Sequence, residues 1–197
     1  MTRRAIATLP ETVMLRHIPN AICLLRIVLT VPAVNAIDRG DYALALTVFS
    51  VAAISDGLDG YLAKRFGWTS YLGRILDPIA DKILLVATFL ACAWQGLVPV
   101  WLAAAAIARD VMLVGGAIIY RLWFGRIDDH PTGVSKINTT LQIIVVIVAM
   151  LNAAVAIVPA AVVLALAVAT FATTVISGID YMSRSFRRAW HLPSAPR

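Results

Sequence analysis

Six long apolar runs, separated by short polar breaks, leave this chain few residues from which to build a water-soluble surface. They lie at Ala21 to Ile37, Tyr42 to Ser55, Ile83 to Trp94, Val100 to Trp123, Ile137 to Val158 and Ala160 to Ile179. Apolar residues make up 60% of the chain and charged residues 14%, which excludes a soluble globular domain and requires an integral membrane protein. A spanning helix takes about 20 residues, so six spans with short loops and tails fill the chain. The expected fold is therefore all-α: a bundle of six transmembrane helices forming one membrane domain over residues 1–197. Residues 1–19 are read as an N-terminal juxtamembrane segment and residues 183–197 as a cytoplasmic tail. Within the first of these, Leu9 to Pro19 mixes Val13, Met14 and Leu15 with Glu11, Arg16 and His17. It admits two readings, a short interfacial helix in the headgroup layer or a disordered tail.

The chain carries 17 Lys plus Arg against 11 Asp plus Glu. These basic residues are dispersed between apolar runs and form no soluble basic face, so membrane lipid and not nucleic acid is the expected partner. With the N-terminus inside, the outer loops (Asp38 to Asp41, Gln95 to Pro99 and the Val158 Pro159 corner) hold one basic residue, Arg39. Arg16, Lys64, Arg65, Arg74, Lys82, Arg121, Lys136, Arg184, Arg187 and Arg188 fall inside or at the inner boundary. That asymmetry places both termini of a multi-pass protein on the cytoplasmic side, in what is read as a bacterial inner membrane. The first twenty residues have no uninterrupted apolar core before a small-residue cleavage site, so no removable signal is expected. Cys23 and Cys92 lie in apolar segments assigned toward opposite faces, which argues against a disulfide or a metal site made from them.

Against this apolar background one polar pattern stands out: Asp56-x-x-Asp59-Gly60-x-x-Ala63, then Gly73-x-x-x-Asp77-x-x-x-Asp81. Four acids this close at the end of a helix bundle repel one another unless a cation lies between them, and divalent metal is the natural candidate. Both short runs reach spanning length if the second helix continues through Ala63 and the third begins near Leu72. The three- and four-residue spacings then put each set on one helix face, and a turn at Gly67 lets the two stripes oppose each other across about 8 to 10 Å between axes. Oxygen ligands in that arrangement suit one or two hard cations. Gly60, Ala63 and Gly73 either keep the face shallow for a phosphate ester or let two helices pack closely. A cation transporter would place acids at mid-membrane with a counterpart in the second half of the chain, and none is there. A catalytically dead scaffold would have no need of all four acids. No Gly-x-Ser-x-Gly, Cys–His pair or P-loop suggests a different chemistry.

The string SDGLDGYLAKRFGWTSYLGRILDPIADK resembles the signature of the CDP-alcohol phosphotransferases, membrane enzymes that move a phosphatidyl group from CDP-diacylglycerol to an alcohol and release CMP. The resemblance implies a six-helix homodimer with a cytoplasmic-side active site and a centre of two Mg²⁺ or Mn²⁺ ions. It implies that Asp56, Asp59 and Asp77 are metal ligands and that Asp81 both lies near the metals and acts as general base. Gly60, Ala63, Lys64 and Gly73 would line the CDP pocket. Lys64 departs from the pattern, which usually has Arg there; a point charge replaces a planar fork, with Arg65 alongside.

The resemblance runs from Ile18 to Gln142. The segments Ile107 to Tyr120 and His130 to Gln142 are more similar to eukaryotic-type cardiolipin synthases, whose acceptor is phosphatidylglycerol, than to phosphatidylglycerophosphate synthases, whose acceptor is glycerol 3-phosphate. Either acceptor is anionic. Lys136 and Arg121, near the inner mouth, would hold its phosphate or else anchor a helix to anionic lipid. Arg26, inside the first span, must pair with an acid of the motif, a substrate phosphate or a carbonyl, the first two being favoured. Arg109 and Asp110 are adjacent, so their side chains leave the helix about 100° apart and no simple facing pair is expected. A structural role between helices is favoured for them over a place in the acceptor site. His17, His130 and His191 are too scattered for a histidine metal site.

Overall fold

Each apolar run folds as a helix, and the helices that end at Asp38, Trp94 and Val155 stop where a turn residue takes over the last carbonyls. The computed structural model describes the backbone of residues 18–66, 73–124 and 132–190, and the side chains of residues 22–55, 79–116 and 132–184. Among the described residues there are six helices and no strand: α1 (Ile18–Asp38), α2 (Tyr42–Phe66), α3 (Gly73–Trp94), α4 (Val100–Phe124), α5 (Gly133–Val155) and α6 (Ala160–Trp190). The segment Leu9 to Pro19, read as an interfacial helix or a tail, lies outside the described residues up to residue 17.

The corners show why the breaks fall where they do. After α1, Gly40 takes a positive φ of 77°. Its N–H donates to the Ile37 carbonyl (3.0 Å) and the Asp41 N–H to that of Ala36 (2.9 Å), a Schellman ending that a residue with a Cβ would strain. Asp41 then caps α2, its Oδ1 accepting from the Leu44 N–H at 3.1 Å. Gly96, with φ 73°, ends α3 in the same manner, the Leu97 N–H reaching the Cys92 carbonyl at 2.9 Å. Thr132 caps α5 by accepting from the Ser135 N–H, so this helix starts a turn ahead of Ile137. It also stops before Val158, because Ala156 turns left-handed (φ 52°) and donates to the Asn152 carbonyl. The Asn152 side chain closes the corner by accepting from the Val158 N–H at 3.0 Å.

The last helix is longer than its apolar run. α6 has 31 residues and continues well past Ile179 to Trp190, so the first part of the expected tail 183–197 is helical. Arg184 pairs with Asp180 one turn earlier at 2.9 Å, and the Arg and Ala residues that follow are good helix formers.

Two compact units divide after Ala91. In the first, α1 packs along α2. Cys23, Arg26, Thr30, Ala33 and Ile37 form a buried stripe at helical spacing on α1, facing small residues such as Ala45 and Ala52 beside Phe49 on α2. In the second, α4 and α5 both pack on α6. Gly116 on α4 makes room for the ring of Tyr181, a Cβ at Gly116 falling 2.5 Å from the phenolic oxygen. That hydroxyl donates to the Leu113 carbonyl at 3.3 Å.

Polarity is distributed inside out. Leu24, Val28 and Val31 of α1, Val111 and Val114 of α4, and Leu164, Val168 and Ile176 of α6 are exposed, while Arg26, Arg109, Asp110, Asn138, Gln142 and Thr174 are buried. Exposed apolar side chains around an interior that holds buried polar groups are the pattern of a helical membrane protein. Among the described residues, Gly133–Val155 and Ala160–Arg184 are long and apolar enough to cross a membrane.

Candidate active site

The acidic motif occupies the C-terminal end of α2 and the N-terminal end of α3. α2 continues without a break through Asp56, Asp59, Gly60, Ala63 and Lys64 to Phe66, and α3 opens at Gly73 with Asp77 and Asp81 in its first turns. These are the extensions the sequence required for both runs to reach spanning length. Just ahead of the motif, the Ser55 hydroxyl donates to the Val51 carbonyl at 2.7 Å, which removes a polar group from competition for the acids. The side chains of Asp56, Asp59, Ala63, Lys64 and Asp77, and residues 67–72 including the turn at Gly67, lie outside the described residues. So does the opposition of the two stripes. The donor set fits a hard divalent ion by its chemistry, since carboxylate oxygens are the ligands such ions take. Among the described residues, to which only Asp81 of the four acids contributes a side chain, no group of three His, Cys, Asp or Glu forms a metal site.

Asp81 is placed by a cation on another helix. Arg26 Nη1 of α1 donates to Asp81 Oδ1 of α3 in a salt bridge. The two ends of the bridge differ: the Arg26 side chain is 1% exposed and that of Asp81 is 44% exposed. Arg26 sits in the middle of the buried stripe of α1, where a guanidinium needs an anion, and the acid of the motif supplies it. The Thr30 hydroxyl donates to the Arg26 carbonyl at 3.0 Å, so the polar groups of that turn are turned inward together. Of the partners open to Arg26 from sequence, an acid of the motif is one that the structure shows.

A second polar cluster joins the three helices of the other unit. Arg109 Nη1 donates to Asp110 Oδ1 at 2.8 Å, correcting the expectation that adjacent residues would not face each other. The arginine stem is long enough to fold its head back over the neighbouring carboxylate, which a pair of short side chains could not do. Arg109 Nη2 also donates to Ser177 Oγ of α6 at 2.8 Å and to Ser135 Oγ at the start of α5. One buried guanidinium thus ties α4 to α5 and α6. Lys136, the next residue after Ser135, is exposed in the first turn of α5. The side chain of Arg121 lies outside the described residues.

Sequence reasoning did not pick out Asn138. It is fully buried, and its Oδ1 meets the hydroxyls of Thr174 (2.8 Å) and Thr173 (3.0 Å) on α6. Gln142, one turn further along α5, is buried as well. The signal was present as two amides four residues apart in an otherwise apolar run, a spacing that puts both on one face of a membrane helix.

Known proteins are similar to this chain over long stretches. The chain is 34% identical over 142 residues to a probable cardiolipin synthase (CMP-forming) of Drosophila melanogaster, covering 64% of this chain and 44% of that protein. It is 34% identical over 145 residues to the cardiolipin synthase (CMP-forming) of Homo sapiens, covering 66% and 48%. A probable phosphatidylglycerophosphate synthase of Mycobacterium tuberculosis is 28% identical over 202 residues, covering 93% of this chain and 91% of that protein. The chain therefore spans about half the length of the two cardiolipin synthases and nearly all of the mycobacterial protein. The family model for CDP-alcohol phosphatidyltransferase matches residues 16–175, a stretch that contains every residue of the acidic motif together with Arg26 and Arg109, and the chain belongs to that family.

Proposed function

We propose that this protein transfers the phosphatidyl group of CDP-diacylglycerol to the hydroxyl of phosphatidylglycerol, forming cardiolipin and releasing CMP. The observation that carries the reaction class is the four-acid motif on two consecutive helices within the family match. The acceptor rests on similarity to two proteins named as cardiolipin synthases. A second reading, glycerol 3-phosphate as acceptor, is favoured by the coverage of the mycobacterial relative, which is similar from end to end.

In this reading Asp56, Asp59, Asp77 and Asp81 hold divalent metal, Mg²⁺ or Mn²⁺ and two ions by family resemblance. When bound, such ions neutralise the pyrophosphate of the nucleotide. Asp81 accepts the proton of the acceptor hydroxyl. The hydroxyl oxygen forms a bond to the lipid-side phosphorus while the bond from that phosphorus to the bridging oxygen of CMP breaks, so CMP leaves with the electron pair. No covalent protein intermediate is required. Gly60, Ala63 and Gly73 leave the face shallow for the CDP moiety, and Lys64 offers it a point charge. Lys136, exposed at the N-terminal end of α5 where a cation is at odds with the helix dipole, is a residue placed to meet an anionic acceptor. The family match crosses from one compact unit into the other, which supports a single membrane domain over residues 1–197. All six helices are taken as spans of a homodimer in a bacterial inner membrane, with both termini and the motif on the cytoplasmic side, on the strength of the loop charges.

The test is CMP release by purified protein in mixed micelles with CDP-diacylglycerol and Mg²⁺ or Mn²⁺, offering phosphatidylglycerol or glycerol 3-phosphate. Release with phosphatidylglycerol, abolished by chelator, is the expected result. Release with glycerol 3-phosphate alone moves the protein to the second reading, and silence with both in folded protein sinks the enzyme assignment.

A further inference from the structure

We propose that Arg26 is a positioning residue for the transfer reaction, fixing the Asp81 carboxylate from its buried side so that its exposed side is presented to the reacting groups. This rests on the assignment of Asp81 as base. The asymmetry of the salt bridge carries the inference: a 1% exposed guanidinium stands behind a 44% exposed carboxylate. Were Arg26 to bind a substrate phosphate directly, that phosphate would have to reach a side chain that is 1% exposed. The bridge links the arginine to the reaction by way of Asp81.

Three properties suit Arg26 to the task. Its guanidinium stays charged at every working pH and donates through Nη1 to Asp81 Oδ1, a directional bond that fixes that oxygen. Its backbone lies in the interior of α1, among Cys23, Thr30, Ala33 and Ile37 of the buried stripe, which leaves the side chain little freedom. α1 in turn packs on α2, the helix carrying Asp56 and Asp59, so a bond from α1 to α3 registers both acid-bearing helices against one support. A carboxylate has about four lone-pair directions, and the bond from arginine to Oδ1 accounts for one of them.

The experiment compares Arg26→Gln, Arg26→Lys, Asp81→Asn and the double variant Arg26→Gln/Asp81→Asn with wild type. CMP release is measured with whichever acceptor the wild type uses, and Mn²⁺ binding is read separately from the electron paramagnetic resonance of the free ion. Arg26→Gln is expected to lower kcat about 100-fold, the scale of a misplacement of about 1 Å, with KM for CDP-diacylglycerol within about threefold. Mn²⁺ is expected to bind at least as tightly, because one positive charge has left the neighbourhood of the acids; a loss of structure would weaken both together. Arg26→Lys keeps the charge without the fork and is expected to sit about tenfold below wild type in kcat, with KM unchanged. The double variant is expected to turn over no more slowly than Asp81→Asn alone, since residues acting as a unit are not additive.

A KM raised tenfold or more at unchanged kcat would mean that Arg26 touches substrate, and overturns the proposal. So does a further loss in the double variant. If Arg26→Gln does not elute as folded protein, Arg26→Lys decides alone: lowered kcat at constant KM supports positioning, and wild-type kcat overturns it. Wild-type turnover in Asp81→Asn is a separate failure, which removes the base itself whatever the Arg26 variants show.

Discussion

Two neighbouring glycines on α4 should respond to the same substitution with opposite signs. An added Cβ at Gly115 meets nothing within 4 Å, whereas at Gly116 it falls 2.5, 2.9 and 3.1 Å from Oη, Cε1 and Cζ of Tyr181 on α6. Alanine is favoured over glycine within a helix by about 1 kcal/mol, so Gly115→Ala should stabilise the protein by up to about that much. Gly116→Ala gains the same propensity but forces the Tyr181 ring aside. Overpacking costs about 1–3 kcal/mol, and loss of the Tyr181 bond to the Leu113 carbonyl about 1 kcal/mol more. The net is destabilisation by about 1–3 kcal/mol, so the two variants should differ by about 2–4 kcal/mol. For a chain of this size about 1 kcal/mol moves Tm by about 2–4 °C. Thermal unfolding followed by circular dichroism at one detergent concentration should therefore show Gly115→Ala melting a few degrees above wild type and Gly116→Ala clearly below it. Tyr181→Phe/Gly116→Ala should recover part of the loss, because the atom nearest the new methyl is gone. If Gly116→Ala melts at or above Gly115→Ala, the close approach of α4 and α6 described here is wrong.

Other outcomes follow from single contacts. Ala156→Gly should raise stability by about 1 kcal/mol, because φ 52° strains a residue with a Cβ and the Asn152 cap is retained; the same melting assay reads it. Arg109→Met should cost about 3–5 kcal/mol, the usual price of taking one partner from a buried pair, and a loss no larger than that of an exposed arginine such as Arg184→Met would contradict a three-helix tie. Asp81→Asn should leave the helical signal intact and lower CMP release about 100- to 10,000-fold, whereas wild-type turnover would end its role as base. Asp56→Asn should instead weaken Mn²⁺ binding and nucleotide binding together, and undiminished Mn²⁺ binding would remove it from the ligand set.

Much of this was legible in the sequence because membrane helices are specified by length and apolarity, which a linear reading captures. The continuation of α2 through the acids and the start of α3 at Gly73 match the helix lengths expected from sequence, and the glycines at positions 40 and 96 mark their turns openly. The α5–α6 corner was harder to place, since Ala156 does at a left-handed position what glycine or asparagine ordinarily does. The extent of α6 was hidden for a related reason: past Ile179 the signal changes from apolarity to helix propensity, and an inspection for spans stops there. Side-chain reach was the other blind spot. The 100° between adjacent residues on a helix describes where Arg109 and Asp110 leave the backbone and says nothing of where a long guanidinium ends. Arg26 was readable as a cation in need of an anion, whereas its standing behind Asp81, and not before it, depends on burial that only packing determines.

The length of α6 sets a mechanical constraint on the protein. At 1.5 Å per residue its 31 residues make a rod of about 46 Å, against about 30 Å of hydrocarbon in a bilayer. If the helix crosses near the membrane normal, roughly the last 16 Å, from about Asp180 onward, must stand clear of the lipid tails. The continuous helix would then act as a stilt: whatever is joined beyond Trp190 starts from a rigid post at the membrane surface, at a height and direction fixed by the packing of α6 against α4 and α5.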